Sequence, residues 1–105
     1  MQKDKVESIL GFAIKAGKVL FGADSIERYH KKKHLILMCN TVSENTREKL
    51  LRTNPGVPAI ISRTAKVEDL THRVNCKVVA VTDKQMAQAI ITNKNGSYQF
   101  VTEVK

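Results

Sequence analysis

His34-Leu35-Ile36-Leu37-Met38-Cys39 is the stretch on which the fold turns. Leu35 to Met38 form a continuous apolar run, short and flanked by polar residues, as expected for a strand covered on both faces. Such a strand needs helices above and below it, and the flanking sequence supplies them. Upstream, Val6, Ile9, Leu10, Ala13 and Ile14 recur at helical spacings, predicting a helix from Lys3 to Ala16 that stops at Gly17. Val19-Leu20-Phe21 is β-prone, and Gly22 opens a second helical pattern carrying Ile26 and Tyr29 and running through Lys33. Downstream, Ser43 caps a helix with Glu44 in its first turn and Arg47, Lys49 and Arg52 in later ones, ended by Asn54-Pro55-Gly56. Val57 to Ile61 is a strand, Thr64 or a neighbour starts a helix with Val67, Leu70 and Val74, and Lys77 to Val81 is a further strand. Thr82 and Asp83 cap a last helix through Met86, Ala87, Ala89, Ile90 and Ile91, broken at Asn95-Gly96. Tyr98 to Val104 is an added strand or a frayed tail. Helices alternating with short apolar strands predict an α/β domain with helices on both faces of a small sheet.

The 105 residues suffice for one domain and one core, and residues 1–105 are read as a single unit. Eighteen Lys and Arg against ten Asp and Glu give a net charge of +8, which favours a polyanionic partner, nucleic acid or an anionic surface. No stretch approaches the roughly 20 apolar residues of a membrane span, and MQKDKVES lacks the apolar core of a signal peptide. The expectation is a cytoplasmic protein without membrane contact. Cys39 and Cys76 lack CxxC spacing and sit beside apolar runs, which suits reduced, partly buried thiols. With no Trp and 5% aromatic residues, the chain has little with which to stack unpaired bases, so structured RNA suits it better than loose strands.

Gly11 to Lys18, GFAIKAGK, superficially resembles a phosphate-binding P-loop, but the spacing is one residue too long and Val19 stands where a hydroxyl is needed. These residues also end a helix instead of opening one, so nucleotide hydrolysis is rejected. His30 and His34 are four apart, but no Cys or carboxylate completes a metal set with them. His72, Cys76 and the serines give no nucleophile, base and orienting group at informative spacing. Neither catalysis nor a metal or cofactor is expected.

The stronger signal is basic. Lys15 and Lys18 lie at the end of the first helix, and Arg28, Lys31, Lys32 and Lys33 on the second. A solvated face would explain them, but they surround Gly17 and Gly22, where backbone can approach a phosphate chain closely, and phosphate contact is favoured. The connection Arg73-Val74-Asn75-Cys76-Lys77 joins a helix to a strand end, a place where α/β domains often carry binding residues, although an ordinary connection would read the same way.

Lys15-Ala16-Gly17-Lys18-Val19 through Gly22, the Leu35 to Met38 strand with Ser43-Glu44-Asn45 after it, Val57-Pro58 and Val78 to Asp83 follow one another in an order that resembles the L-seven-Ae and L-thirty-e ribosomal protein family, including its short bacterial members. The resemblance covers residues 3 to 92. It implies a three-layer α-β-α sandwich with a mixed four-stranded sheet, to which Tyr98 to Val104 would add an extra strand. It also implies recognition of RNA kink-turns, in which a bulge and tandem sheared guanine-adenine pairs bend a duplex, without turnover. In archaeal and eukaryotic members the second helix begins Gly-Thr-Asn-Glu with a Lys a turn later, reading guanine edges, and a loop before the last core strand covers the bulged nucleotides. By position those roles fall on Gly22, Ala23, Asp24, Ser25 and Arg28, and on Arg73, Val74, Asn75 and Cys76.

Three of these positions depart from the pattern, with Asp24 in place of Asn, Ser25 in place of Glu and Arg28 in place of Lys. Asp accepts from guanine donors but cannot donate to its oxygen, Ser does either weakly, and Arg donates bidentately. Asp24 therefore suits either a cap on the second helix or a guanine donor. The expectation is a monomeric binder of kink-turn-like RNA in a ribosomal or other ribonucleoprotein setting. The alternative is a protein-interaction module on the same fold that docks on a ribonucleoprotein without specific RNA recognition.

Overall fold

A computed structural model describes residues 5–63, 66–71, 73 and 76–101. Along the chain run α1 (Lys5–Lys15), β1 (Val19–Phe21), α2 (Ala23–Arg28), β2 (Leu35–Met38), α3 (Glu44–Thr53), β3 (Ala59–Ser62), α4 (Val67–Thr71), β4 (Val78–Val81), α5 (Lys84–Asn93) and β5 (Tyr98–Phe100). The strands form one sheet in the order β1-β4-β2-β3-β5, with β2 parallel to β3 and the other pairs antiparallel. The apolar run therefore sits at the centre of the sheet, and all four of its residues are buried. Its alternation sorts the core into two layers. Leu35, Leu37 and Cys39 join Val79 and Val81 under α1, α4 and α5, while Ile36 and Met38 join Val78 and Ala80 under α2 and α3. The result is the α-β-α sandwich, its mixed sheet holding the four expected strands and the extra C-terminal one.

The fifth strand is Tyr98–Phe100, which pairs antiparallel with β3, and residues 102–104 lie outside the described residues. Strand β3 begins at Ala59 and not at Val57, because Pro58 has no N–H to give the ladder and only its carbonyl serves, accepting from the Ile36 amide at 2.9 Å. Lys77 likewise precedes β4 and accepts from the Cys39 amide at 2.7 Å. Helix α4 spans only Val67–Thr71, and Thr64, expected at its start, lies outside the described residues with Val74, as does Lys3 of the first helix.

Local chemistry sets the helix ends. Gly17 (φ 71°) closes α1, its amide donating to the Ile14 carbonyl at 3.0 Å and the Lys18 amide to that of Ala13 at 2.9 Å, the paired bonds of a Schellman motif. Ser43 Oγ accepts from the Thr46 amide at the start of α3, and Asp83 Oδ2 from the Met86 amide at the start of α5. Thr82 is not a cap, since its amide and hydroxyl both donate to the Lys18 carbonyl. The second helix is shorter than its sequence implied: α2 stops at Arg28, Tyr29 is extended (φ −82°, ψ 115°), and Lys31, Lys32 and Lys33 lie beyond it. Continuing would stack like charges at Arg28, Lys31 and Lys32, three and four residues apart. Instead Lys33 Nζ folds back on the carbonyls of Ile26 (3.1 Å) and Tyr29 (3.0 Å), closing the helix end. Among the described residues no helix is long and apolar enough to cross a membrane.

Candidate nucleic-acid interface

Strand β1 turns into α2 at Gly22, whose amide donates to the Val78 carbonyl at 2.9 Å. Its torsions, φ 86° and ψ 155°, belong to a region open essentially to glycine alone. Beyond this corner Ala23 and Ile26 pack inward, and Asp24, Ser25 and Arg28 are exposed along the outer side of α2. No side chain caps the helix at Gly22, so the capping role open to Asp24 is not the one it has. Glu27 is tied down instead, accepting from the Thr53 hydroxyl at 2.8 Å and pairing with Lys49 at 3.3 Å.

The Arg73 to Lys77 connection meets this corner. The Arg73 guanidinium lies 3.8 Å from the centre of the Phe21 ring, a cation-π contact that joins the connection to the last residue of β1. Cys76 is buried beside the Val78 carbonyl, and Lys77 Nζ reaches Thr41 Oγ1 at 3.1 Å and Glu68 at 3.9 Å. Val74 and Asn75 lie outside the described residues. The Gly22 start of α2 and the Arg73 to Lys77 connection, which the sequence offered separately, thus share one end of the sheet, with Arg28 at the other end of α2.

The remaining basic residues do not join them. The Lys18 carbonyl is bonded by Thr82 and the His34 amide by the Val81 carbonyl, so Lys15, Gly17, Lys18, Lys31 and Lys32 gather at the opposite end of β4 from Val78 and Gly22. Lys18 to Gly22 spans roughly 13 Å at about 3.3 Å per extended residue. Lys33 is occupied in closing α2. The basic cluster of the sequence is therefore two surfaces.

Two groups titrate away from their ordinary values. The Thr53 hydroxyl, then Lys49, hold Glu27 below the usual carboxylate range despite an opposing contribution from burial. A depressed carboxylate stabilises the fold fully above its unfolded pKa of about 4.3, and that stabilisation is lost as pH falls through the folded value. Glu27→Gln is expected to lower stability at pH 7 by about 0.2–1 kcal/mol. The difference should close in urea titrations run below pH 4, and one of equal size at both pH values would contradict the pairing. At Cys39 burial raises the thiol pKa, but Thr41, the Val67 amide and Lys77 together outweigh it, and the net direction is down. Among the described residues no three His, Cys, Asp or Glu side chains gather as a metal set.

No family model matches the chain. No curated protein matches it either. The fold is similar to the solved structure of a protein with unknown function from Bacillus halodurans C, with a TM-score of 0.77 and 18% identity over 86% of this chain and 96% of that one. At that identity the likeness concerns architecture alone.

Proposed function

We propose that the protein binds structured RNA of the kink-turn type, without turnover, as a cytoplasmic component of a ribosomal or other ribonucleoprotein particle. The observation that carries this reading is the meeting of the Gly22 corner with the Arg73 to Lys77 connection through the Phe21-Arg73 contact. These are the two segments to which the resemblance to the L-seven-Ae and L-thirty-e family assigns guanine reading and cover of the bulge. Asp24 and Ser25 are exposed just past the corner and Arg28 at the end of α2, and Asp24 and Arg28 form no ion pair among the described residues. Arg28 supplies a bidentate donor, and Asp24 an acceptor that its helix does not use. Lys15, Lys18, Lys31 and Lys32, at the far end of the sheet, are assigned to phosphates of the flanking duplex.

Binding to a kink-turn RNA, and to the same duplex with its guanine-adenine pairs replaced, tests the reading at two salt concentrations. A preference for the kinked RNA that survives the higher salt is expected. Equal, salt-sensitive binding to both would overturn it and leave only a basic surface. One observation favours the alternative of a protein-interaction module: Phe12 on α1 is 68% exposed beside a groove lined by Gly11, Ile14 and Leu70. Association with a ribonucleoprotein that persists after nuclease treatment would support that alternative.

A further inference from the structure

At the end of the sheet away from Gly22, the Lys31 to His34 connection, the Thr53 to Pro58 segment and one side of α5 border an open cavity of about 500 Å³. Its rim is basic, carrying Lys31, Lys32, His34 and Lys84, and among the described residues no Asp or Glu lines it. Lys31, Lys32 and Lys84 are exposed and form no ion pair among the described residues, whereas Lys33 is held by the Ile26 and Tyr29 carbonyls. Val57, Pro58, Ala87 and Ile91 give it an apolar floor.

Two details fit this cavity for an anion. Lys84, the first residue of α5, adds its charge to the positive end of the helix dipole, and both favour an anion, although the Asp83 cap beside it offsets part of that field. At the end of α3, whose carbonyls would repel an anion, the Leu50 carbonyl is occupied, accepting from both the Asn54 amide and Asn54 Nδ2, at 3.1 and 2.9 Å. Asp83, next to Lys84, is not in the lining, and its carboxylate is engaged by the Met86 amide at 2.9 Å.

Phosphate alone would need only the rim. The apolar floor beside it suits a sugar and base, and the volume lies within the range of small-ligand pockets, about 300–1,000 Å³. The geometry points to a site for one phosphorylated ribonucleotide unit, within an RNA chain or free, separate from the Gly22 corner although it takes in Lys31 and Lys32, which the kink-turn reading assigns to phosphates of the flanking duplex.

Amide chemical shifts of the intact protein, titrated with adenosine monophosphate, with a 5′-phosphorylated tetraribonucleotide and with inorganic phosphate, test this site and the Gly22 corner in one spectrum. Both nucleotide probes are expected to move the amides of Lys32, His34, Gly56, Val57 and Gln88 while Gly22 to Arg28 stay in place, and inorganic phosphate at the same concentration is expected to move them far less. Tighter binding of the tetranucleotide would identify an RNA chain as the source, and tighter binding of the monophosphate a free nucleotide. Lys32→Ala combined with Lys84→Ala removes two charged donors and should weaken nucleotide binding at least about tenfold. Its unliganded spectrum should remain that of the folded protein. Absence of shifts around the cavity, shifts confined to Gly22 to Arg28, or an equal response to inorganic phosphate would each overturn the proposal. A kink-turn RNA that fails to move Gly22 to Arg28 would count against the other site only.

Discussion

Arg28→Ala is expected to leave the protein folded and to remove about 1–3 kcal/mol of its preference for a kinked RNA over the straight duplex, roughly 5- to 150-fold in relative affinity. Arg28 ends α2, is exposed and forms no ion pair among the described residues, so its removal disturbs little of the protein itself. The planar guanidinium can meet both acceptors of a guanine edge at once, which an ammonium cannot. Arg28→Lys keeps the charge without the fork and should recover general affinity but not discrimination. Lys18→Ala offers the contrast: taking away an ammonium that the proposal assigns to phosphate, at the far end of β1, should weaken kinked and straight RNA alike and reduce the slope of log affinity against log salt by about one. If Arg28→Ala lowered affinity for both RNAs equally, Arg28 would be a phosphate ligand and the assignment of base reading to α2 would fall.

Leu37→Ala should lower the stability of the fold by about 2–5 kcal/mol, a large share of the roughly 5–15 kcal/mol available to a domain. Leu37 is fully buried in the middle of the central strand, opposite Ile60 on one side and Val79 on the other. The helices α1, α4 and α5 above it and the paired backbone on either side leave little freedom to collapse into the space of a missing isobutyl group. The midpoint of thermal unfolding should fall on the order of 10–30 °C. Leu37→Met, which conserves volume, should lose less than about 1.5 kcal/mol. A loss below about 1 kcal/mol for the alanine variant would mean that the layer over Leu37 is loosely packed.

The central strands were legible because burial on both faces leaves a uniform apolar signature, seen in Leu35 to Met38 and again in Val78 to Val81. The endings at Gly17, Ser43 and Asp83 were legible because each depends on atoms within a few residues. The end of α2 was not, because residues 29–33 suit a helix individually and Lys33 acts by folding back on carbonyls four and seven positions earlier. The division of the basic residues was hidden for a related reason. Lys18 and Gly22 are four positions apart in sequence, but an extended strand lies between them and each bonds to a different end of β4. The Phe21-Arg73 contact joins residues far apart in the chain, and nothing in either segment alone announces it. Likewise, the cavity at the far end depended on two distant segments converging with α5.

The order of strands also bears on how the chain behaves at high concentration. Its two wholly apolar four-residue strands, LILM and VVAV, have the uncharged, β-prone composition from which cross-β fibrils grow. Both occupy interior positions, β2 between β4 and β3, and β4 between β1 and β2, while the exposed rims are strands of three residues each. Rims so short offer few unpaired amides to another chain. The vulnerable seam is β1, since peeling it away would bare the VVAV edge, and the bonds from Thr82 to the Lys18 carbonyl and from the Gly22 amide to the Val78 carbonyl fasten its two ends. Slow aggregation under mild destabilisation would begin there, and the same fastenings that shape the Gly22 corner keep the protein dispersed.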